Sequence, residues 1–519
     1  MANFACQERD TKMKTKLIAL PGSVARTIAV LAILELLLLF APSASAVPSY
    51  ARRYGMECSG CHTMWGALNG AGVTFRLSGY RAINGSDLTP ISEDIEIAKG
   101  VSIPTTLPLS FVTGVGYDQR EEKRTASDGS TNTARGSSLA LEDASIFMTS
   151  PLGKYFSAFV EFPMYETKSW EFTPTGKFEA NDTSRSHKIQ FEAEKPTFEV
   201  AKFWFNNVAG DALPRDSLNV LAGITHLPLG YASGKVRLSV NQYLIYERRA
   251  LDYISPNKVG DVLGDADDYL FKLGEPQVIA EVNGMLTFGK PVTDVGKRDT
   301  FWAEYHLGVT NGSNDSADNN TQKDLYGRWV MRYYNQSLGF SAYHSADTYD
   351  ETLRNFASIA GNPNGVGIMS GRQDKNSMTR LGIDGTLSAV PLGYPVWLEN
   401  QYMSNRESSP TGFGKEFKWH GGFHQLNWQF KKEGITYARY DYVKGDNIND
   451  TVVTLNGVTG VTNSTPKEWD VVAGIQYLLS QNIKLIGEYR HHEFQDTAGG
   501  PSTARLKDDG FTVRVMLGF

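Results

Sequence analysis

The chain has 519 residues, and past residue 46 it holds no run of about twenty apolar residues, which excludes a bundle of membrane-spanning helices. Its formal charge is −6; without residues 1–46, which carry five Lys/Arg and three Asp/Glu, it is −8, and that balance argues against nucleic acid as a partner while permitting weak attraction of cations. Only three cysteines occur, Cys6, Cys58 and Cys61, so beyond one close pair there is no thiol for a structural disulfide or a cysteine nucleophile.

Residues 1–46 read as a secretory signal peptide. Lys12, Lys14, Lys16 and Arg26 form the basic part, Thr27 to Phe40 the apolar part, and Ala44-Ser45-Ala46 the cleavage site. Met13 offers a second start of more ordinary length.

Just past this leader stands Cys58-Ser59-Gly60-Cys61-His62. C-x-x-C-H is the attachment pattern of a c-type haem: two thiols two residues apart each form a thioether to one porphyrin, and the following histidine lies under the iron. The expected cofactor is therefore one covalent haem c, with Cys58 and Cys61 as attachment residues and His62 as proximal iron ligand. The competing readings are weaker. A redox C-x-x-C wants a βαβ context, and a zinc site wants a second Cys or His pair nearby; neither is present, which leaves chance. Residues 47–102 are Gly-rich and mixed, enough for a minimal wrap around one porphyrin. Met64, Trp65, Leu68, Val73, Phe75 and Leu77 are expected to touch the ring, with Arg52, Arg53, Arg76 and Arg81 available for the propionates. The distal ligand is missing locally: Thr63 to Thr106 contains no His or Cys, and its one Met, Met64, is too close to His62 to reach the opposite face. It must come from Lys99, the new amino terminus or the rest of the chain, or be absent.

From about residue 103 to 519 the pattern is period two. Phe301, Leu307 and Val309 alternate with Trp302, Glu304 and His306; Leu426 and Trp428 with Gln425 and Asn427; Ile483, Leu485 and Tyr489 with Lys484, Glu488 and Arg490; Phe511, Val513 and Val515 with Thr512, Arg514 and Met516. One face is apolar and aromatic, the other charged even at mid-strand, which suits a transmembrane barrel with lipid outside and a wet lumen inside. Sixteen strands are expected, starting near 107, 139, 154, 197, 217, 277, 300, 324, 337, 377, 395, 420, 435, 467, 482 and 508. A further candidate, Gln242 to Glu247, is assigned to a loop. Tight turns at Pro151-Leu152-Gly153, Asn335-Gln336, Lys432-Glu433-Gly434 and Ser480-Gln481-Asn482 alternate with long polar stretches at 118–138, 228–276, 311–322, 347–376 and 444–466. Short turns face the periplasm and long loops the outside in such barrels. The even strand number puts both barrel ends, and with them the haem segment, on the periplasmic side or within the lumen. The fold class is thus mainly β: an antiparallel transmembrane barrel of about sixteen strands behind a small cytochrome segment.

Pro48-Ser49-Tyr50-Ala51-Arg52, Gly55, Cys58 to His62, Leu68, Gly72, Phe75, Gly79 and Tyr80 resemble the amino-terminal cytochrome of the fused monohaem cytochrome–porin proteins, which include the outer-membrane Fe(II)-oxidising cytochromes. Tyr50 stands where that pattern has Phe, and Arg53-Tyr54 where it has Gln-Thr. The resemblance implies a monohaem cytochrome joined to an outer-membrane porin, with periplasmic cytochromes or other electron carriers, extracellular iron or another metal, and outer-membrane lipid as partners. The expected function is electron transfer through one haem between the cell exterior and periplasmic carriers, with Fe(II):cytochrome oxidoreductase as the candidate activity. The alternative is a diffusion porin whose haem segment is a plug or sensor; a haem enzyme such as a peroxidase wants a distal acid–base pair that is not seen.

The lumen face is expected to supply the distal ligand. By parity Met285, His306 and Met516 lie on it, the two methionines near the periplasmic end and His306 at mid-barrel; His492 is also on this face, near the outer mouth. The loop Asn311 to Asn320 is rich in oxygen donors but lacks calcium-loop spacing. His491 and His492 fall on opposite strand faces, so no chelate is expected. Trp302, Trp329, Trp397, Trp428 and Trp469 read as interfacial girdle residues.

Overall fold

The computed structural model describes residues 49–81, 90–91, 93–125, 129, 131–166, 171–174, 187–190, 199–232, 237–248, 271–288, 300–312, 322–348, 375–408, 416–445, 448–455, 458–464, 467–496 and 504–519. The leader, the oxygen-rich stretch 313–321 and most of 347–376 lie outside them.

Among the described residues, sixteen strands close into one antiparallel barrel. In chain order they are β1 Leu109–Thr125, β2 Thr131–Pro151, β3 Phe156–Glu166, β4 Val200–Phe205, β5 Asn219–Thr225, β6 Gln277–Thr287, β7 Phe301–Thr310 and β8 Asp324–Tyr333. The second half is β9 Gln336–Thr348, β10 Lys375–Ser388, β11 Val396–Glu407, β12 Phe417–Lys431, β13 Gly434–Gly445, β14 Lys467–Ser480, β15 Ile483–Asp496 and β16 Ala504–Gly518. Each strand pairs with its chain neighbour, and β16 pairs with β1 from Arg505–Thr125 to Gly518–Val112 to close the ring. Closure leaves no sheet edge with unpaired backbone groups. β1 and β2 reach further than expected: they take in most of 118–138, ending at Thr125 and resuming at Thr131.

The faces are inverted relative to a soluble protein. Leu307, Leu381 and Trp428 are 60%, 57% and 51% exposed on the outside, while Glu281, Asp384 and Asp470 inside are 4%, 4% and 0% exposed. The inner charges are paired. Arg328 meets Asp384 at 2.6 Å, Arg332 meets Glu304 at 3.0 Å, Arg439 meets Asp441 at 3.1 Å and Arg490 meets Asp470 at 2.9 Å. Paired in this way, the charges do not carry the full cost of desolvation.

The lumen is not simply wet. The described part of the stretch read as a long polar outer loop, 228–232, 237–248 and 271–276, folds inward. Gln242 to Glu247 is not a strand; Leu244–Glu247 makes one helical turn, and Tyr243, Leu244, Ile245 and Tyr246 are buried to 0–1%. They pack with Trp204, Phe271, Tyr343, Met403, Trp419 and Phe423 into an apolar core inside the barrel. Polar wall residues hold the loop's backbone: Arg439 donates to the Asn241 and Gln242 carbonyls at 2.8 and 3.1 Å, Glu488 accepts from the Val240 and Asn241 amides at 3.0 and 3.2 Å, and Arg328 donates to the Pro228 carbonyl at 2.9 Å. A buried loop must have its backbone satisfied, and here the charged inner wall does it.

Candidate functional site

Ahead of the barrel lie helix α1 Ser49–Tyr54, a 3-10 turn Cys58–Gly60, a ribbon pairing His62–Met64 with Ala67–Leu68, and helix α2 Gly70–Leu77. The turn is closed by the Gly60 amide donating to the Glu57 carbonyl at 2.9 Å and the Cys61 amide to the Cys58 carbonyl at 3.1 Å. Asn69 knots the motif together. Its amide donates to the Cys61 carbonyl at 2.9 Å, its Nδ2 to the Ser59 and Gly60 carbonyls at 3.1 and 3.2 Å, and its Oδ1 caps α2 by accepting from the Gly72 amide at 3.0 Å. Gly72 must lack a side chain, because a Cβ there would strike the Cys61 carbonyl.

Both thiols are free. Burial, and then the neighbouring Cys58, pushes the Cys61 thiol up to about 11. Burial, and then the Lys484 charge, lowers His62 to about 4, so the imidazole is neutral at ordinary pH. Its Nδ1 is buried without a hydrogen-bond partner among the described residues. A neutral, uncommitted imidazole beside two free thiols on one turn has the donor chemistry of a c-type haem site.

The segment is packed into the tight-turn end of the barrel, and residues 47–519 form one compact unit. Ser49 accepts or donates at 2.7 Å with Thr149 through its hydroxyl, and its amide donates to Ser110 at 2.7 Å. Met64 is buried against Leu238 of the inner loop and Ile435, Tyr437 and Val472 of the wall. A Cβ on Gly66, whose φ is +95°, would meet the Arg237 carbonyl at 2.6 Å. Tyr80 stacks on Tyr50 and Phe159 at 4.9 and 5.5 Å and meets Trp204 edge-on at 5.3 Å. Arg81 donates to the Lys154 carbonyl at 2.7 Å and to Asp216 at 2.5 Å. The Cys58 sulfur lies 3.8 Å from the Gln481 carbonyl, and Glu57 pairs with Lys432 at 3.4 Å, both on short turns.

The expected ring-contact residues are divided among these wall contacts. Val73 and Leu77 pack with Met285 and Trp302, and Leu68 leans on the same cluster; Phe75 packs edge-on to Tyr50, Tyr54 and Tyr80. Leu68 is the register partner of His62, so Met285 is linked to the motif through one side chain. His306 faces the lumen, where its Nδ1 is 2.8 Å from Glu281, which also accepts from Tyr326 at 2.8 Å. Met516 pairs in register with Lys484, whose ammonium donates to the Trp65 carbonyl at 3.2 Å. Lys99 is exposed. Three of the four arginines offered for the propionates are engaged elsewhere: Arg52 with the Leu107 and Leu109 carbonyls, Arg53 with Asp94 at 2.6 Å, and Arg81 with Asp216. His491 and His492 do fall on opposite faces. His491 pairs with Asp509 outside at 2.7 Å, and His492 with Asp470 inside at 2.5 Å. Trp329 and Trp428 face outward, but Trp302 is 2% exposed beneath the Arg332 guanidinium, and Trp397 packs against the cluster around Met64. Their parity with Glu304 and Glu399 was the signal that they point inward. The same parity puts Lys484 on the lumen face, where it is buried.

No protein-family model matches the chain, and no curated protein matches it. Among solved structures it is similar to the outer membrane channel DcaP of Acinetobacter baumannii, at 11% identity and TM-score 0.41 over 82% of this chain and 99% of that one. It is also similar to an anion-selective porin from Comamonas acidovorans, at 10% identity and TM-score 0.43 over 79% and 99%. A third is OmpT, an outer membrane protein of Vibrio cholerae, at 8% identity and TM-score 0.39 over 82% and 100%. The chain's own geometry defines its class: a closed sixteen-stranded antiparallel barrel with an apolar outer wall and a packed, charge-lined interior.

Proposed function

We propose that this chain is an outer-membrane barrel that carries one covalent haem c in its periplasmic mouth and passes electrons between an extracellular donor or acceptor, such as iron, and periplasmic carriers. The observation that carries the reading is the C-x-x-C-H turn: two free thiols and an uncommitted neutral imidazole, lodged inside the tight-turn end of the barrel. Closed, hydrogen-bonded strands with an apolar exterior suit lipid, where backbone groups must be paired within the protein. Cys58 and Cys61 would hold the haem and His62 would ligate its iron; the group supplies reversible one-electron exchange. The chain's part is to fix the motif through Asn69, anchor the segment through Tyr80 and Arg81, and shield it from water with Met64 and the inner loop. No acid–base residue is needed for outer-sphere transfer.

The second reading, a diffusion porin with the segment as plug or sensor, is favoured by the charged inner wall. Haem staining after denaturing electrophoresis separates the two, because covalent haem should follow this chain and vanish from a Cys58→Ala, Cys61→Ala variant. Retention of stain in that variant would sink the haem reading. Loss of haem with full solute flux retained, and no loss of electron transfer, would favour the porin. Protease should cut tags placed in 347–376 on intact cells and spare tags near Gly153 or Gly434.

A further inference from the structure

Among the described residues, several lumen-facing cations of the barrel wall stand against carboxylates, and Lys484 does not. The buried arginines Arg328, Arg332, Arg439 and Arg490 each have a carboxylate partner. Lys484 on β15 is just as buried, at 7% exposure, yet among the described residues no carboxylate pairs with it. Its Nζ donates to the neutral Trp65 carbonyl at 3.2 Å and lies 5.8 Å over the Trp65 ring. Its electrostatic neighbours are His62 and Arg514, neither of them an anion. The register places Arg514 beside it: Lys484 pairs with Met516 and Ile486 with Arg514, so the two cations occupy the same lumen face of adjacent strands. A buried ammonium with only a neutral acceptor is costly, and a second cation nearby makes it worse. Lys484 is thus a buried cation with no anion among the described residues, held to Trp65, which is three residues along the chain from His62.

Resting on the haem reading above, we propose that Lys484, with Arg514 beside it, is the carboxylate-binding site for the haem propionates. Arg52, Arg53 and Arg81 of the segment are committed to carbonyls, Asp94 and Asp216, and Arg76 has Glu304 as its opposite charge, so the barrel wall supplies the countercharge. Lys484 is a positioning residue here: it holds the group's carboxylates and raises the potential by disfavouring the ferric state.

The test uses the full-length, haem-loaded protein purified in detergent, with Lys484→Gln, Lys484→Met, Lys484→Arg and Arg514→Gln. Heat-modifiable migration in electrophoresis reports that the barrel is folded. Lys484→Gln and Lys484→Met should keep the covalent stain and the oxidised and reduced spectra, while the midpoint potential falls. Arg514→Gln should move it the same way, and Lys484→Arg should stay close to the unsubstituted protein. Should Lys484→Gln not fold, Lys484→Met and Arg514→Gln carry the same expectation. Haem present with the potential unmoved in the charge-removing variants overturns the site and leaves the haem reading standing. A changed axial-ligand spectrum in Lys484→Gln assigns the lysine to iron and also overturns it. Absence of covalent haem from the unsubstituted chain overturns the proposed function and this site together.

Discussion

Arg81→Met should free the amino-terminal segment, 49–81, from the barrel mouth without opening the barrel. The Arg81 and Asp216 side chains are 6% and 0% exposed, and the guanidinium serves three acceptors: Asp216 at 2.5 Å, the Lys154 carbonyl at 2.7 Å and the Ser78 carbonyl at 3.0 Å. Removing one partner of a buried ion pair costs about 3–5 kcal/mol, mostly because the other charge is left uncompensated. Arg215, 3.4 Å from Asp216, recovers part of that. The low end, about 3 kcal/mol, corresponds to roughly two orders of magnitude in the docking equilibrium. Exchanging both partners is far less costly than exchanging one, so Arg81→Met with Asp216→Asn should regain most of the loss. Asn is also suited to the left-handed backbone at 216, where φ is 60°. Hydrogen exchange followed by mass spectrometry should show faster exchange over 49–81 in the single variant, with the strands unchanged, and partial recovery in the double. Unchanged exchange in Arg81→Met, or a double variant no better protected than the single, would refute the clamp.

Gly72→Ala should cut covalent haem per folded barrel, since its methyl meets the Cys61 carbonyl and moving α2 away costs about 1–3 kcal/mol; haem stain normalised to protein checks it. Replacing 229–247 by a short Gly-Ser link should raise single-channel conductance in planar bilayers, and an unchanged conductance would mean the inner loop does not obstruct the lumen. Within that loop Tyr246→Phe loses bonds to the Leu229 carbonyl and Gln401, about 1 kcal/mol each, and should lower the unfolding midpoint in denaturant. Of the three distal candidates, Met516→Ala should alter the oxidised and reduced haem spectra, because Met516 is opposite Lys484 next to the segment, whereas His306→Gln should not, its ring being bound to Glu281.

The barrel was legible because period-two alternation carries its own phase. Strands expected near 277, 300, 324, 395 and 482 start at Gln277, Phe301, Asp324, Val396 and Ile483. The same phase put Met285, His306 and His492 on the lumen face, where they are buried. What the pattern could not give was the destination of the loops. The stretch 228–276 is polar overall, and only the short run Tyr243 to Tyr246 hints at burial; whether such a run lies in lipid, lumen or a loop depends on partners 150–200 residues away, such as Gln401 and Asp441. The C-x-x-C-H motif was plain from spacing alone. Its seat was not, because Trp65, Lys484 and Gly518 come together only through barrel closure.

That closure has a consequence for how the protein is made. The segment straddles the seam: Ser49 bonds to Ser110 on β1, and the Trp65 ring lies against Gly518 at the end of β16, where a Cβ would come within 2.7 Å of it. The β1–β16 pairing joins residues roughly 400 positions apart, and such a contact is the slowest for a chain to find. In the folded barrel Cys58 and Cys61 are partly buried, with the Cys58 sulfur against the Gln481 carbonyl, which narrows the room for an enzyme that ligates a porphyrin. On the proposed function this sets an order of biogenesis: thioether formation would come first, on an open chain, and the finished segment would then serve as a template on which the first and last strands meet.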